Sequence, residues 1–551
     1  MMKKNNYCRQ LKLALLFIPI AASSQTMPVS LRADVTVQFV MNVNEKCARV
    51  AKDPVSGNLF YITSIGNVYE IKNINTSPYD VLLYTSADHG IDFLQGMAFI
   101  DSSLFLIGNQ LIDSTQNIGM IKKAVLQPNG LRSWVNVATT DPYAQSYTWY
   151  DHGFSGIVVS PDSTYLYFSS GSRTDHGEEQ NNYNLYPGLR EEPLTSAIFR
   201  IPANSVNLIL PNNAASLSQY LYADGTRNSF DLAFDLNDNL FATENSGDRD
   251  DPDELNWIRQ GKHYGFPWIA GGNNNPQQFP GYVPANDALL NQSSNSYLNG
   301  YYHNDPAFPS SSGITFTPSI KNMGPDADKY RENSGSVNDG STSGNFVSSF
   351  TPHRCALGLE FDRKNILAAD LKGSGFAVCF TIGADSSGLD PFGNMGAICD
   401  PGQDLLHIEL SPDGAGEYQM QVTTIVNNFL NPVDTYLDGN ILYIIEYSYM
   451  GAGRLFKVTL PLDPVSVEEK NSRTDISVYP NPGSGIFTVN LNKKNTGAKI
   501  CVYDVLGNCV LSKVCGGDVN QIIDLSCKSK GIYFVQLITD GKRIVKKIVL
   551  N

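Results

Sequence analysis

The chain has 551 residues, which is too long for one ordinary hydrophobic core and therefore predicts two domains. It carries 54 acidic against 40 basic residues and a formal net charge of −14. This balance argues against nucleic acid as a partner, because phosphate backbones are bound mainly by Lys and Arg.

The N-terminus predicts a secretory signal peptide over residues 1–24. Lys3, Lys4 and Arg9 precede the apolar run from Leu13 to Ala22, and small residues follow before Gln25. This run is short for a bilayer, and no later stretch reaches the roughly twenty apolar residues that a membrane helix needs. We therefore expect an exported protein without a membrane span.

Cysteine usage agrees with export. Beyond the signal peptide there are four cysteines in the large part of the chain and four near the C-terminus: Cys47, Cys355, Cys379 and Cys399, then Cys501, Cys509, Cys515 and Cys527. Even sets in an exported protein permit disulfides within each domain, although the sequence leaves their connectivity open.

A weak repeat predicts an all-β fold. It consists of an apolar strand, an Asp/Asn/Gly turn and a second apolar strand, and no long helical pattern interrupts it. The predicted second strands begin near Leu59, Leu104, Leu166, Leu240, Ile366 and Ile441. Six copies indicate a six-bladed β-propeller over residues 35–460. The Asn/Gly/Ser/Pro-rich stretch 271–349 reads as long loops that shape the substrate site.

In equivalent copies, the loops that enter the first strands lie around one end of a central channel. Their polar residues are Glu45, Lys46, Gln95, Asp151, His152, Arg227, Asn228, His353, Arg354 and Asn431. A structural loop needs only turn residues, so this set predicts a polar pocket on the axis.

An acidic loop follows the fourth copy and crowds five carboxylates together: Asp248, Asp250, Asp251, Asp253 and Glu254. Such a cluster repels itself unless water or a hard cation such as calcium satisfies its oxygens. A solvated acidic turn and a calcium site both remain open on this pattern.

The order of motifs around this loop resembles the glucose/sorbosone dehydrogenase family of soluble quinoprotein β-propellers. Arg227-Asn228 precedes a strand, Asp253-Glu254-Leu255-Asn256 ends a loop, and Tyr264-Gly265-Phe266-Pro267 closes the segment. The resemblance implies oxidation of a sugar or polyol by hydride transfer to pyrroloquinoline quinone (PQQ). It also implies that His152 removes the hydroxyl proton and that Asp151 orients its imidazole.

The same resemblance implies cofactor and metal ligands. The quinone contacts would be Arg227, Asn228, Lys372, His353 and Arg354, and the calcium ligands would be Ser246, Gly247, Asp248, Glu254 and Tyr264. Taken alone, Lys372 also fits a solvated turn lysine.

The chain departs from the family pattern at three places, of which the missing arginine pair and the altered turn favour a different function. Phe429 and Asn431 stand where two quinone-binding arginines are expected, Gln95 is displaced, and the longer turn 245–249 replaces a short Gly-Pro turn. A buried quinone with several carboxylates needs cationic partners. The alternative is therefore a non-catalytic propeller that binds a glycan or protein at the cell surface.

After a polar linker at 461–475, residues 476–551 predict a small β-sandwich of short alternating strands. Its motifs resemble a type IX secretion C-terminal sorting domain: Tyr479-Pro-Asn-Pro482, Tyr503-Asp-Val-Leu-Gly507, Gly531-Ile-Tyr533 and Lys546-Lys-Ile-Val-Leu550. The resemblance implies passage through the periplasm and then across the outer membrane by the type IX machinery.

Overall fold

The computed structural model describes residues 27–127, 130–381, 398–463, 477–491, 496–539 and 542–551. The predicted signal peptide and residues 464–475 of the predicted linker lie outside these ranges. Strands make up 47% and helices 5% of the structure, which confirms the all-β prediction. The chain divides into two compact units, residues 1–466 and 467–551.

The described residues of the first unit form six main β-sheets. The first consists of Cys47–Lys52, Leu59–Thr63, Val68–Lys72 and Tyr79–Tyr84. The second consists of Phe93–Ile100, Ser103–Ile112, Gln116–Leu126 and Arg132–Thr140, with Tyr143–Ala144 and Leu208–Leu210 added. The third consists of Phe154–Val159, Tyr165–Ser170, Ala197–Pro202 and Leu221–Asp224.

The fourth sheet consists of Ser229–Phe234, Leu240–Glu244 and Glu254–Ile258. The fifth consists of Ala356–Phe361, Gly375–Cys379, Leu405–Pro412 and Tyr418–Asn427, with Val29–Ser30 and Lys321–Pro325 added. The sixth consists of Pro432–Asp438, Ile441–Glu446, Gly453–Thr459 and the early strand Thr36–Val43.

The remaining elements of the first unit are short. Two hairpins pair Ile269–Ala270 with Asn273–Asn274 and Lys329–Arg331 with Val337–Asp339. The helices are Ser86–His89, Ala214–Leu217, Asn295–Leu298 and Gly340–Ser343, with 3-10 turns at Pro276–Gln278 and Pro284–Asn286. None of these described helices is long and apolar enough to cross a membrane.

The first strands of the six sheets contact one another in a ring. Each contacts the first strand of the next sheet, and Pro432–Asp438 of the sixth contacts Cys47–Lys52 of the first. Strands near this ring are buried, as in Leu59–Thr63, whereas the outer strand Tyr79–Tyr84 is largely exposed. The core lies between neighbouring sheets, where Phe60 and Ile62 pack against Leu104 and Leu106.

Five of the six predicted second strands are present, and the prediction near Ile366 is wrong. The second strand of the fifth sheet is Gly375–Cys379, which pairs with Ala356–Phe361. The carboxylate of Asp362 accepts backbone N–H groups from Ile366, Leu367 and Gly373 at 3.1–3.3 Å. These bonds hold residues 362–374 in a turn, so the strand begins later than its apolar pattern suggests.

The strands described in the second unit form two antiparallel sheets. One is formed by Ser477–Tyr479, Ile486–Asn490 and Asn520–Asp524, and the other by Cys509–Gly516, Thr496–Tyr503, Gly531–Thr539 and Lys542–Leu550. Phe487 and Ile523 of the first sheet share one core with Val502 and Val535 of the second.

The eight cysteines of the described residues are free thiols in the structure. Cys47 is an example, because its buried thiol donates a hydrogen bond to the Glu446 carbonyl at 2.8 Å. In this position Cys47 belongs to a packed core rather than to a cross-link.

Candidate functional site

A cavity of about 640 Å³ opens where the first strands of the second, third and fourth sheets begin. Four of the predicted entrance residues line it together: Gln95, Asp151, His152 and Asn228. A polar pocket is therefore present at the strand entrances, but residues of only three of the six sheets line it, so it is not the predicted pocket on the axis. No residue of 271–349 is among its described lining residues, so the predicted role of that stretch at the pocket is wrong.

His152 is the titratable base of this pocket. Its Nδ1 lies 3.3 Å from the Ser172 carbonyl, which also accepts the His152 backbone N–H at 2.9 Å. A carbonyl only accepts, so Nδ1 carries the proton and Nε2 keeps its lone pair. Burial, together with the nearby Arg227 cation, lowers the pKa of His152 to about 3. The imidazole is therefore neutral at physiological pH.

Gly171 allows this arrangement. A Cβ at that position would lie 2.4 Å from the His152 Cβ and 2.8 Å from the Asn228 side-chain oxygen. Any other residue would push both side chains from their places beside the cavity. The glycine therefore fixes the close approach of two pocket residues from neighbouring entrance loops.

Asp151 does not hydrogen-bond to His152, contrary to the expected orienting role. Its carboxylate accepts the backbone N–H groups of Ser146, Tyr147 and Thr148 at 2.8, 2.7 and 3.3 Å. Three donors from one turn outcompete a single imidazole, because short polar side chains bond their own loop readily. The Ser172 carbonyl orients His152, and Asp151 shapes the loop at the pocket rim.

Buried amides that the sequence analysis missed form the pocket floor. The Asn109 side chain bonds both the N–H and the C=O of Phe154 at 3.0 Å, and Asn117 donates to Asn109 at 2.7 Å and to Tyr143 at 2.5 Å. The Asn117 side-chain oxygen is buried without a hydrogen-bond partner. Asn at an inward position of an apolar strand is the sequence signal that identifies such residues.

Arg227 is buried, and its charge is already compensated. Its guanidinium donates to the Asp175 carboxylate at 3.2 Å, to the Asp175 carbonyl at 2.7 Å and to the Asn245 carbonyl at 3.1 Å. Asn228, its neighbour, lines the cavity. Of the predicted Arg-Asn pair, Asn228 lines the pocket, whereas Arg227 lies outside the lining and stabilises the residues around it.

His353 and Arg354 also form ion pairs with carboxylates. Arg354 is fully buried and pairs with Asp400 at 2.9 Å and with Asp404. His353 Nε2 lies 2.9 Å from Asp250. Burial lowers the pKa of His353, but the Asp250 carboxylate outweighs this and raises it to about 9. Both residues therefore serve internal ion pairs.

Lys372 lies far from the pocket, so its predicted cofactor contact is wrong. It precedes Gly375–Cys379, at the end of the fifth sheet opposite to the entrance residues His353 and Arg354. The length of a five-residue strand, about 17 Å, separates the two ends. Its ammonium is exposed and bonds Asp463 at 3.1 Å.

The structure does not gather the predicted calcium ligands. Asp248 accepts from the Tyr150 hydroxyl at 2.5 Å and from the Ser296 N–H at 2.8 Å. The Ser246 backbone N–H donates to Asp253, and Gly247 packs against Asp175. The Glu254 carboxylate accepts hydrogen bonds from Gly271 and Asn256. The Tyr264 hydroxyl donates to the Trp257 carbonyl. The described residues contain no group of three His, Cys, Asp or Glu arranged to hold a metal.

The pocket residues do not match the expected quinone. No Lys or Arg side chain is among the described residues that line the cavity, whereas a quinone with several carboxylates needs cations when buried. Phe429 and Asn431, which stand where the family resemblance leads us to expect arginines, add no cation. Phe429 is buried in the core, and Asn431 donates to the Phe380 carbonyl at 3.1 Å.

Two family models match the chain. Residues 112–319 match the Glucose / Sorbosone dehydrogenase model, and residues 477–551 match the Secretion system C-terminal sorting domain. A curated relative, the endo-acting ulvan lyase of Formosa agariphila, is 33% identical over 95 residues, which is 17% of this chain. The chain spans 18% of the length of that relative.

Solved structures similar to the chain include the apo form of the soluble aldose sugar dehydrogenase of Escherichia coli. That match has a TM-score of 0.46 and 13% identity, and covers 77% of this chain and 99% of that one. The PQQ-bound aldose sugar dehydrogenase of Streptomyces coelicolor matches with a TM-score of 0.44 and 14% identity, over 78% and 99%. The PQQ domain of Coprinopsis cinerea pyranose dehydrogenase matches with a TM-score of 0.46 and 12% identity, and the match covers 79% of this chain and 97% of that one.

The sorting domain at the C-terminus indicates export through the type IX secretion system. The motifs at Arg227-Asn228, 253–256 and 264–267 fall within the first of the two matched regions. Residues 112–319 of the chain therefore match the glucose/sorbosone dehydrogenase family, and residues 477–551 match a secretion system C-terminal sorting domain.

Proposed function

We propose that residues 35–460 form a six-bladed propeller that oxidises a sugar or related polyol in the 640 Å³ pocket. The family of residues 112–319 supports a dehydrogenase. The ring of six first strands, in which the sixth sheet combines an early strand with three late ones, supports the blade number.

The observation that carries this proposal is the neutral His152 at the pocket wall. Its Nδ1 proton is held by the Ser172 carbonyl, so Nε2 is the atom that accepts the hydroxyl proton of a bound substrate. The low pKa keeps this base unprotonated well into the acid range. Gln95 and Asn228 supply amide groups for the remaining hydroxyls.

Oxidation of a hydroxyl also removes a hydride, which requires an acceptor. PQQ is the acceptor that the family resemblance implies, and when bound it would supply the electron-accepting carbonyl chemistry. The cation-poor lining of this pocket disagrees with that cofactor.

A non-catalytic glycan-binding propeller is the second candidate, and two observations favour it. The lining lacks Lys and Arg side chains, and a histidine with a pKa near 3 is a weak proton acceptor. Amide and aromatic side chains around a pocket suffice for binding a polyhydroxylated ligand without turnover.

Dye-linked oxidation of a sugar panel separates the two candidates. The full-length protein is assayed with and without added PQQ, alongside calorimetric titration of the same sugars. Turnover that falls about 10²–10⁴-fold in His152→Gln supports the dehydrogenase. Sugar binding without turnover under either condition supports the binding module, and absence of both binding and turnover contradicts both.

We also propose that the chain crosses the periplasm and is then moved over the outer membrane, with the type IX machinery recognising a small β-sandwich at residues 476–551. The match of residues 477–551 to the sorting domain supports this route. Deletion of residues 476–551 should leave the first unit folded in the periplasm. Unchanged release of the truncated protein into the medium would contradict the route.

A further inference from the structure

Three exposed aromatic side chains extend outward from the pocket rim. Trp149 is 89% and Tyr147 is 58% exposed, and both line the cavity. Tyr183 is 80% exposed and packs against Tyr147, with ring centroids 5.5 Å apart. We call these three residues the aromatic row. Each leaves a large apolar ring surface in water, and adjoining exposed aromatic groups of this kind mark binding surfaces.

The loop that carries Tyr147 and Trp149 is held in shape from within. The Asp151 carboxylate accepts three successive backbone N–H groups, and the hydroxyls of Ser146 and Thr148 bond each other at 2.7 Å. Tyr147 has a φ of 62°, a left-handed conformation that a bulky residue adopts only when its surroundings enforce it. The loop backbone that carries the two aromatic side chains is therefore held in a defined shape.

A second loop presents Tyr183 in the same manner. Asn182, Tyr183 and Asn184 have φ values of 44°, 56° and 65°, three left-handed residues in succession. The Asn182 side chain donates to the Gln145 carbonyl at 3.0 Å and so ties this loop to the first one. This strained turn places Tyr183 beside Tyr147 and leaves most of its ring in solvent, an arrangement that suits a ligand contact.

The chemistry of the surroundings selects a neutral sugar chain. A sugar ring presents an apolar C–H face that packs on an aromatic ring, and equatorial hydroxyls that bond amides such as those of Gln95 and Asn228. The lining contains no described Lys or Arg, and the chain has a net charge of −14. Both features disfavour a polyanionic polysaccharide.

We propose that the aromatic row binds the units of a neutral oligosaccharide or polysaccharide that follow the terminal unit, whose ring enters the pocket beside His152. The substrate class is thereby a glycan chain end rather than a free monosaccharide. This inference rests on the proposed function, because it takes a sugar in the pocket as its starting point.

The test is calorimetric titration of the full-length protein with glucose, xylose and mannose and with the corresponding cello-, xylo- and mannohexaoses. The hexaose of the recognised sugar should bind at least tenfold more tightly than its monosaccharide. Tyr183→Ala should remove most of that gain and leave monosaccharide affinity unchanged, because Tyr183 does not line the cavity. Tyr79→Ala is the matched control, since Tyr79 is 51% exposed on an outer strand remote from the pocket residues.

Equal affinity for monosaccharide and hexaose would overturn the inference while leaving sugar binding in the pocket intact. Failure of all six sugars to bind would overturn the proposed function as well, so the two failures are distinguishable. Tighter binding of an anionic oligogalacturonate, or a dimer that dissociates in Tyr183→Ala, would also overturn it. The second result would assign the aromatic row to a contact between copies of the chain.

Discussion

The pocket loop at residues 145–153 and the acidic loop at residues 245–254 differ in how they use their polar groups. Charge dominates the acidic loop, yet four of its five carboxylate residues are buried, and its carboxylates bond Tyr150, Ser246, Arg249, Arg331 and His353. The pocket loop has a single carboxylate, which bonds its own backbone, and it leaves Tyr147 and Trp149 in solvent.

This difference shows that density of charge is a poor guide to an available site. Buried charges must be paired, so a loop rich in carboxylates recruits partners from the whole chain until little capacity remains. A loop whose polar needs are met locally is free to expose aromatic and amide groups. The acidic loop stabilises the fold, and the pocket loop is available to a ligand.

The largest effect should come from removing Arg354. In Arg354→Met the buried carboxylates of Asp400 and Asp404 lose their cation, and we expect a loss of about 3–5 kcal/mol in the free energy of unfolding. Sugar affinity should not change, because Arg354 does not line the pocket. Urea denaturation followed by fluorescence measures the first quantity, and calorimetry measures the second.

Arg363→Met is the matched control for this variant. Arg363 pairs with Asp238 at the surface, where both side chains are exposed, and surface pairs contribute little. We expect its unfolding free energy to change by about 0.5 kcal/mol or less. A loss of sugar or cofactor affinity in Arg354→Met without destabilisation would restore Arg354 as a ligand-binding residue.

A smaller effect is expected from Asp151→Ala. The variant frees three N–H groups of the rim loop, so the loop loses its fixed shape and sugar affinity should fall about five- to tenfold, or about 1–1.4 kcal/mol. The acid limb of the pH profile of turnover should not shift, because Asp151 does not contact His152. Asp162→Ala is the control, since Asp162 also bonds its own turn, at Thr164, outside the pocket.

A shift of that acid limb in Asp151→Ala would show that the carboxylate acts on the imidazole after all. The sequence could not decide this point. Adjacent Asp and His residues suggest a dyad, but the three N–H groups that capture Asp151 become its neighbours only when residues 146–148 turn back toward it.

Much of the fold was predictable from alternating strands and turn residues, because those signals are local. Gln95, His152 and Asn228 were also predictable as neighbours, since equivalent loops of a repeat converge. The internal ion pairs of Arg227 and Arg354 were not predictable, because their carboxylate partners Asp175, Asp400 and Asp404 come from distant or unpatterned positions. Lys372 was misplaced for a local reason, the turn that Asp362 builds.

The acidic loop should also give a pH dependence of stability. The pKa of His353 is raised to about 9 in the folded state, so the stabilisation by its Asp250 pair is complete below about pH 6.5 and is lost as pH rises through 9. The ring is partly exposed, and after solvent screening we expect about 1 kcal/mol. Urea denaturation between pH 6.5 and 10 should show this loss, and His353→Gln should remove it. An identical curve in the variant would contradict the assignment.

The smallest effect, in our expectation none, concerns calcium. The oxygens of Asp248 and Glu254 accept hydrogen bonds from Tyr150, Ser296, Gly271 and Asn256, so a cation would have to displace four donors. Burial, with Asp251 and Asp253 nearby, raises the pKa of Glu254 to about 7, which makes it a poorer ligand. A cation that bound only the folded state would raise its melting temperature by mass action. We therefore expect the same melting temperature in millimolar calcium and in EGTA, and elemental analysis without stoichiometric calcium. A rise of several degrees with calcium that disappears in Asp248→Asn would show that the acidic loop opens to a metal, and the contrast between the two loops would then fail.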